Sequence, residues 1–418
     1  MPRQGPTHFC IDMGVYMLKL KILGTLAFLL AGAVTTINDA VAADSGAIVS
    51  GQRVAIMSEK LGGERTLYVH QPAERVEGKQ YPLLVILDAD RYFHHGVGFA
   101  KSLGDFGFVP EMVVIGVDNG EGADRRQLLN DDMAAYTAFL KDELVPFAKA
   151  NFGTGDIAVI AGWQFAGRAV LNVLAEAPDT FDGYIAASPW PVTRDFVTSL
   201  EASLGKHADM AASLTLMIGE NENVVEVGFN FTKAALSARA PEGLDWRAEK
   251  LVGETHTTTP YRALHAGLRQ AFADYSELDF NDLASYRAIG GIAGIEAYFK
   301  SRAEKYGTDA AVGHETLHTI ARISLNSGDA APALEMLAAH PEFIERSNAY
   351  WLNRLAALFL SNDKAEAARA LYTRVSERFP TSADAYTGLA AALTALGRTD
   401  EAEAATAKAA ELQAEASQ

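Results

Sequence analysis

At 418 residues the chain exceeds one ordinary domain, and its length predicts two. With 49% apolar and 21% charged residues it is a globular chain with a substantial core, which excludes a disordered one. Its 53 acidic against 36 basic residues give a net charge of −17, a surface that repels phosphate backbones and predicts no nucleic-acid partner.

The N-terminal segment reads as an export signal. Lys19 and Lys21 precede an apolar run over 22–34, and Ala40-Val41-Ala42 offers a small-x-small cleavage site. Residues 1–42 are therefore predicted to be a signal peptide, with Met17 an alternative start, and the protein to be exported, periplasmic or secreted, in a bacterium. The apolar run is short for a transmembrane span, so no stable span is expected after cleavage. An uncleaved anchor is the other reading. The only cysteine, Cys10, lies in this segment, so the remainder holds no disulfide, cysteine nucleophile or cysteine metal ligand.

From 43 to 278 short apolar runs alternate with helical stretches. Strands are predicted over 65–70, 83–88, 112–117, 157–161, 184–187, 214–218 and 246–252. Amphipathic helices are predicted over 131–150, 226–238 and 261–272, with Asp131 and Asp132 as N-terminal caps of the first. Such alternation predicts an α/β domain, a mostly parallel sheet with helices on both faces.

After a helical linker at 279–310, the strand signal is gone. Leu355, Ala356, Ala368 and Val375 recur 34 residues later as Leu389, Ala390, Ala402 and Ala409, while Tyr372 is matched by Thr406. Ile320, Ala333 and Leu337 form a looser earlier copy, and Pro380 ends the middle unit. The spacing resembles the tetratricopeptide pattern and predicts an all-α repeat domain over 311–418. An ordinary helical bundle is the alternative. Such arrays bind protein partners on a concave face.

Gly162-Trp163-Gln164-Phe165-Ala166-Gly167 lies between the strand at 157–161 and a helical run at 168–177. A strand, a tight turn of small residues and a helix form the setting of a serine nucleophile elbow, Gly-x-Ser-x-Gly, but the serine position holds Gln164. The order nucleophile, acid, histidine is completed by Glu222, or alternatively Glu220, after the strand 214–218, and by His256 after the strand 246–252. The backbone N–H groups of Phe165 and of Ala89 or Asp90 stand where an oxyanion would be held.

Several motifs resemble the putative esterase family of enterochelin-esterase-like α/β-hydrolases over roughly 52–275. They are Ile86-Leu87-Asp88-Ala89-Asp90, Val114-Ile115-Gly116-Val117, the stretch from Phe139 through Asp142 to Pro146, Ala187-Ser188-Pro189 and Gly253-Glu254-Thr255-His256. The resemblance implies an α/β-hydrolase fold that cleaves carboxylic esters, and an attached tetratricopeptide region is familiar in this group. The family elbow reads Gly-His-Ser-x-Gly-Gly. Against it, histidine becomes Trp163, serine becomes Gln164 and the first following glycine becomes Ala166. His256 falls on the family's histidine and Glu222 on its acid.

An amide nitrogen is delocalised into its carbonyl and cannot replace the serine. Gln164 is expected to occupy the carbonyl's place and to hydrogen-bond His256, and the Trp163 ring to crowd the pocket. Ser188 precedes a proline, which favours extended backbone, and lacks the elbow context for a nucleophile. His94 and His95, at the start of a sheet-covering helix, and the polar loop of Gly120-Glu121-Gly122 and Asp124-Arg125-Arg126 are further pocket-lining candidates. His314-Glu315-Thr316-Leu317-His318 matches a zinc-protease pattern, but no third ligand is identifiable, and Leu317, Ile320 and Ile323 read as packing positions of a repeat helix. No cofactor is called for.

Three functions fit this pattern. One is an esterase-like pseudoenzyme that binds a small ester or related ligand and recruits a protein partner through its repeats. The second is an active ester hydrolase in which His256 and Glu222 activate water. The third is a protein-interaction scaffold alone.

Overall fold

The computed structural model describes residues 49–416, and the predicted signal peptide lies outside them. The apolar runs become strands because both of their faces are covered. In chain order these are β1 (Gln52–Ser58), β2 (Gly63–His70), β3 (Tyr81–Leu87), β4 (Val113–Val117), β5 (Thr154–Trp163), β6 (Gly183–Ala187), β7 (Ala212–Gly219) and β8 (Leu244–Leu251). They form one sheet in the order β1-β2-β4-β3-β5-β6-β7-β8. β1 and β2 are antiparallel at one edge, and β4 through β8 run parallel.

Helices α1 (Ala89–Asp105), α2 (Gly122–Arg126), α3 (Phe165–Glu176), α4 (Asn223–Arg239) and α5 (Thr259–Ala271) follow β3, β4, β5, β7 and β8. β3 is buried along its whole length, and its side chains alternate between the two faces. Leu83, Val85 and Leu87 join a core with Val170 and Leu174 of α3. Leu84 and Ile86 join a second core with Phe93 of α1 and Leu268 of α5. From β3 the chain crosses to β4 on one side, and β5 lies on the other. Ligand crevices of α/β sheets open at such a reversal, outside the carboxyl ends of the strands. The loops at Asp88 and at Gln164 both leave from there.

The predicted strand at 83–88 ends one residue early, because Asp88 has φ 63° and turns the chain into α1. β1 is not apparent in the sequence because only Ile56 and Ser58 along it are buried. The predicted helix at 131–150 is built of Met133–Ala138 and Val145–Phe152, with π-helical turns at Gln127–Asp131 and Phe139–Leu144. Asp132 occupies its N-cap position but makes no capping bond, and accepts instead from Gln127 Nε2 at 3.2 Å.

Beyond residue 278 the described residues are helical. α6 (Gly291–Tyr306), α7 (His314–Ser327), α8 (Ala331–Ala339), α9 (Ala349–Ser361), α10 (Ala365–Arg378), α11 (Ala383–Ala395) and α12 (Thr399–Ala416) are the longer ones. The 34-residue repeat marks the packing positions. Leu355, Ala356, Ala368 and Val375 are fully buried, and Ala390, Ala402 and Ala409 nearly so. The Tyr372 ring, which is matched by Thr406 in the next unit, fills the space beside Gly388, where an added Cβ would fall 2.1 Å from the ring. Ile320 and Ala333 of the looser copy are buried in the same core, with Leu337 at its margin. α6 is tied to the sheet domain. Tyr306 is buried beside Phe272, and its hydroxyl donates to Asp274 at 2.6 Å.

Candidate functional site

The turn between β5 and α3 has the geometry of a nucleophile elbow, with Gln164 at its apex. Gln164 stands between β5 and α3 with φ 59° and ψ −114°, a backbone conformation that side chains other than glycine rarely adopt. A Cβ on Gly162 would fall 2.5 Å from the Ala166 backbone, and one on Gly167 would fall 2.7 Å from the Ala187 carbonyl. Both glycines are therefore required for this close turn. The Gln164 N–H donates to Ala187 O at 3.0 Å, and its carbonyl accepts from the Trp190 N–H at 3.1 Å. The Phe165 N–H lies in the first turn of α3, and those of Ala89 and Asp90 lie in the first turn of α1, where backbone donors have no intrahelical acceptor.

Glu222 and His256 meet. His256 Nδ1 lies 2.5 Å from Glu222 Oε2. The other carboxylate oxygen accepts from Ser188 Oγ at 2.7 Å, from the Gly219 N–H at 2.5 Å and from Thr259 Oγ1 at 3.3 Å. Burial works to raise the Glu222 carboxyl, but the hydrogen bonds from His256, Ser188 and Gly219 outweigh it and hold the group below its ordinary value. Glu220 turns away and accepts from the Gly253 N–H at 2.9 Å. Ser188 is fully buried with φ 44°, not extended as the following proline suggests. Its own N–H donates to Met217 O while its hydroxyl is committed to Glu222, and together these bonds hold the turned backbone.

Gln164 does not pair with His256 as expected. Its Oε1 accepts from Arg125 Nη1 at 3.1 Å. Arg125 is nearly buried on α2 and grips the fully buried Asp88 with two bonds, Nε to Oδ1 at 2.8 Å and Nη2 to Oδ2 at 2.6 Å. Nη2 also reaches the Trp163 carbonyl at 3.2 Å. Asn119 donates to Asp88 at 3.2 Å and accepts from the Tyr136 hydroxyl at 2.7 Å. Of this network the sequence singled out Gln164 and Trp163 at the elbow, Arg125 in a polar loop and Asp88 within a family motif, but not Asn119 or Tyr136. Asp88, ending a wholly apolar run, was the available signal for the rest.

The Trp163 ring also departs from expectation. It is turned into the core, donates from Nε1 to the His256 carbonyl at 2.7 Å, and lies 4.8 Å from the His256 ring. It lines a residual cavity of about 20 Å³ with Tyr92, His95 and Tyr261. The open pocket lies elsewhere. It measures about 490 Å³ and is lined by Gln164, Trp190, Asn221, Glu222, Val224 and His256 among others. Residues 164, 222 and 256 thus share one cavity, of a size that small-molecule sites use.

The remaining candidates fall outside this pocket. Asp90 pairs with Arg91 at 3.6 Å, and burial followed by the nearby Asp88 charge raises its carboxyl. His94 packs on Phe93 and His95 on Tyr261, both exposed and in the second turn of α1 rather than its start. Gly120 and Gly122 form turns with positive φ around Glu121, and Asp124 and Arg126 are exposed. His314 stacks on Phe343, and His318 packs edge-on against Trp351 at 4.3 Å. Among the described residues no cluster of His, Cys, Asp and Glu is placed to hold a metal ion.

The comparisons agree with this geometry. Residues 58–242 match the family model described as Putative esterase, and residues 359–418 match a Tetratricopeptide repeat. The segment 58–242 thus resembles the putative-esterase family. His256 lies just beyond the matched span of this esterase domain. The chain is similar in structure to an uncharacterised protein from Capnocytophaga ochracea DSM 7271 (TM-score 0.57, 16% identity, covering 84% of this chain and 99% of that one). It is also similar to an IroE-like serine hydrolase from Shewanella oneidensis (TM-score 0.53, 18% identity, 70% and 99%). At these identities the likeness shows the fold. No curated protein sequence matches the chain significantly.

The depressed Glu222 carboxyl sets an acid limb of stability. Its contribution is full above the unfolded value of about 4.3 and is lost as pH falls through the lower folded value. Glu222→Gln is expected to flatten that part of the stability–pH curve measured by urea unfolding. An unchanged acid limb would show that the Glu222 contacts do not contribute.

Proposed function

We propose that this protein is an exported esterase-fold pseudoenzyme, a ligand-binding domain joined to a partner-binding repeat region. The observation that carries the reading is Gln164, held at the elbow with its side-chain oxygen tied to Arg125. An amide supplies no nucleophile, and removing the nucleophile from a serine-hydrolase site costs on the order of a million-fold in turnover. Ser188 offers no replacement, since it is fully buried and its hydroxyl is committed to Glu222. Purified protein is expected to leave p-nitrophenyl esters uncleaved. Gln164→Ser, placed beside the existing Glu222–His256 pair, is expected to raise turnover at least about tenfold. Cleavage by the unaltered protein that disappears in His256→Ala would overturn the pseudoenzyme reading. It would favour the second reading, in which His256 and Glu222 activate water in the 490 Å³ pocket.

The tetratricopeptide region is proposed to dock a protein partner. α9 exposes Tyr350, with the Arg354 guanidinium 5.4 Å from its ring and 5.5 Å from that of Trp351, a combination of side chains favoured at interfaces. Affinity capture from the source cells is expected to recover a partner with the unaltered chain and to lose it with Tyr350→Ala plus Arg354→Ala. Equal recovery by both would remove this surface from consideration.

Among the described residues no helix is long and apolar enough to cross a membrane. Export rests on residues 1–42. The protein recovered from its host is expected to begin at Ala43 by mass spectrometry, and an intact N-terminus would count against it.

A further inference from the structure

We propose that the esterase-domain pocket binds a neutral carboxamide carried on an apolar group, its carbonyl accepting from Gln164 Nε2 and its N–H donating to His256 Nε2. The proposal rests on the pseudoenzyme reading and names the class of ligand.

The partner behind each pocket group sets its hydrogen-bond polarity, for Gln164 outright and for His256 in its neutral form. A guanidinium has five donors and no acceptor. The Gln164 atom 3.1 Å from Arg125 Nη1 is therefore the oxygen, and the two Nε2 hydrogens are left for the cavity that Gln164 lines. Arg125 cannot relax this choice, because Asp88 holds the same guanidinium in two short bonds. On the other side, the Glu222 carboxylate can only accept, so His256 Nδ1 carries the proton in their 2.5 Å contact. In the neutral form of the ring this leaves a lone pair at Nε2 for the ligand. At the nucleophile position a serine would present an oxygen for attack, whereas here the pocket presents a donor and an acceptor.

Ligand classes separate on that pattern. A carboxamide offers a carbonyl acceptor beside an N–H donor and satisfies both groups. An ester has no donor, so His256 Nε2 would be left unpaired. A carboxylate has no donor and adds a negative charge beside Glu222, while the nearby Arg125 cation is spent on Asp88. A ligand that shields a polar group of the pocket from water without pairing it loses on the order of 1–3 kcal/mol, a tenfold or larger loss of affinity. The mouth of the pocket supplies the apolar side. Trp190 and Val224 both line it and stand exposed, with Phe165 packed 5.4 Å from the Trp190 ring.

The test compares benzamide, benzoate and methyl benzoate by calorimetry or ligand-observed NMR on the full chain. Benzamide is expected to bind at least about tenfold more tightly than the other two and to be recovered intact. Gln164→Glu is nearly isosteric, keeps an acceptor for Arg125 and removes both donors. It is expected to lose at least about tenfold in benzamide affinity while its circular dichroism is unchanged. His256→Ala is expected to lose affinity as well. Equal or tighter binding of benzoate or methyl benzoate, unaltered benzamide binding in Gln164→Glu, or no benzamide binding up to about 10 mM would each overturn the proposal. The two readings fail separately. Cleavage of methyl benzoate sinks the pseudoenzyme reading, while absent benzamide binding without ester cleavage sinks only the carboxamide assignment.

Discussion

A guanidinium can donate in five directions but accept in none, and at Arg125 nearly every direction is in use. Two bonds go to the buried Asp88, one to the Trp163 carbonyl and one to the Gln164 side chain. Burial works against its charge, yet the Asp88 contacts outweigh that and hold it protonated. The pair joins the end of β3, the loop after β4 and the elbow after β5, and of these the elbow reaches the pocket through Gln164. Breaking a buried pair by removing one partner typically costs about 3–5 kcal/mol, because it strands a charge. The arrangement around Gln164 is thus fixed by a much larger interaction than the single 3.1 Å bond that reaches it.

The elbow backbone shows what has been kept. A positive φ at a residue other than glycine costs about 1–3 kcal/mol unless the surroundings impose it. At Gln164 they do. Gly162 and Gly167 allow the strand and helix to approach, and the bonds to Ala187 and Trp190 hold the turn. In a serine enzyme this geometry lifts a hydroxyl above the sheet, beside the backbone donors at the start of the following helix. Here the same geometry lifts an amide. The backbone is still that of the esterase domain, and the chemical change is confined to side chains.

Much of this was legible in the sequence, for local reasons. Strands covered on both faces must be apolar throughout, so β3, β4 and β7 announce themselves. The order of Gln164, Glu222 and His256 follows from which strands they terminate. The repeat was readable because Leu355, Ala356, Ala368 and Val375 are buried for the same packing reason in each unit. What was not legible depends on partners distant in sequence. Arg125 meets Gln164 across 39 positions, and no local pattern says that it, and not His256, takes the amide oxygen. Ser188 looked extended because the proline rule is local, while its backbone is held by Met217 and its hydroxyl by Glu222. β1 escaped notice because an edge strand buried at two positions carries too little apolar signal.

Trp163 links the altered elbow to the histidine loop. Its indole donates to the His256 carbonyl, so the loop carrying the histidine is anchored directly to the residue before Gln164. Ala166, fully buried one turn onward, faces Gly162, where an added Cβ would come within 3.0 Å of the Ala166 Cβ, so the two positions share one space. The residues that depart from the family's elbow therefore act together. Trp163 places His256, Gln164 takes its orientation from Arg125, and Ala166 fills the room that Gly162 leaves. His256 is held at two points, at Nδ1 by Glu222 and at its carbonyl by Trp163, and it lines the pocket. A histidine fixed at both points gives the pocket a polar group of defined orientation.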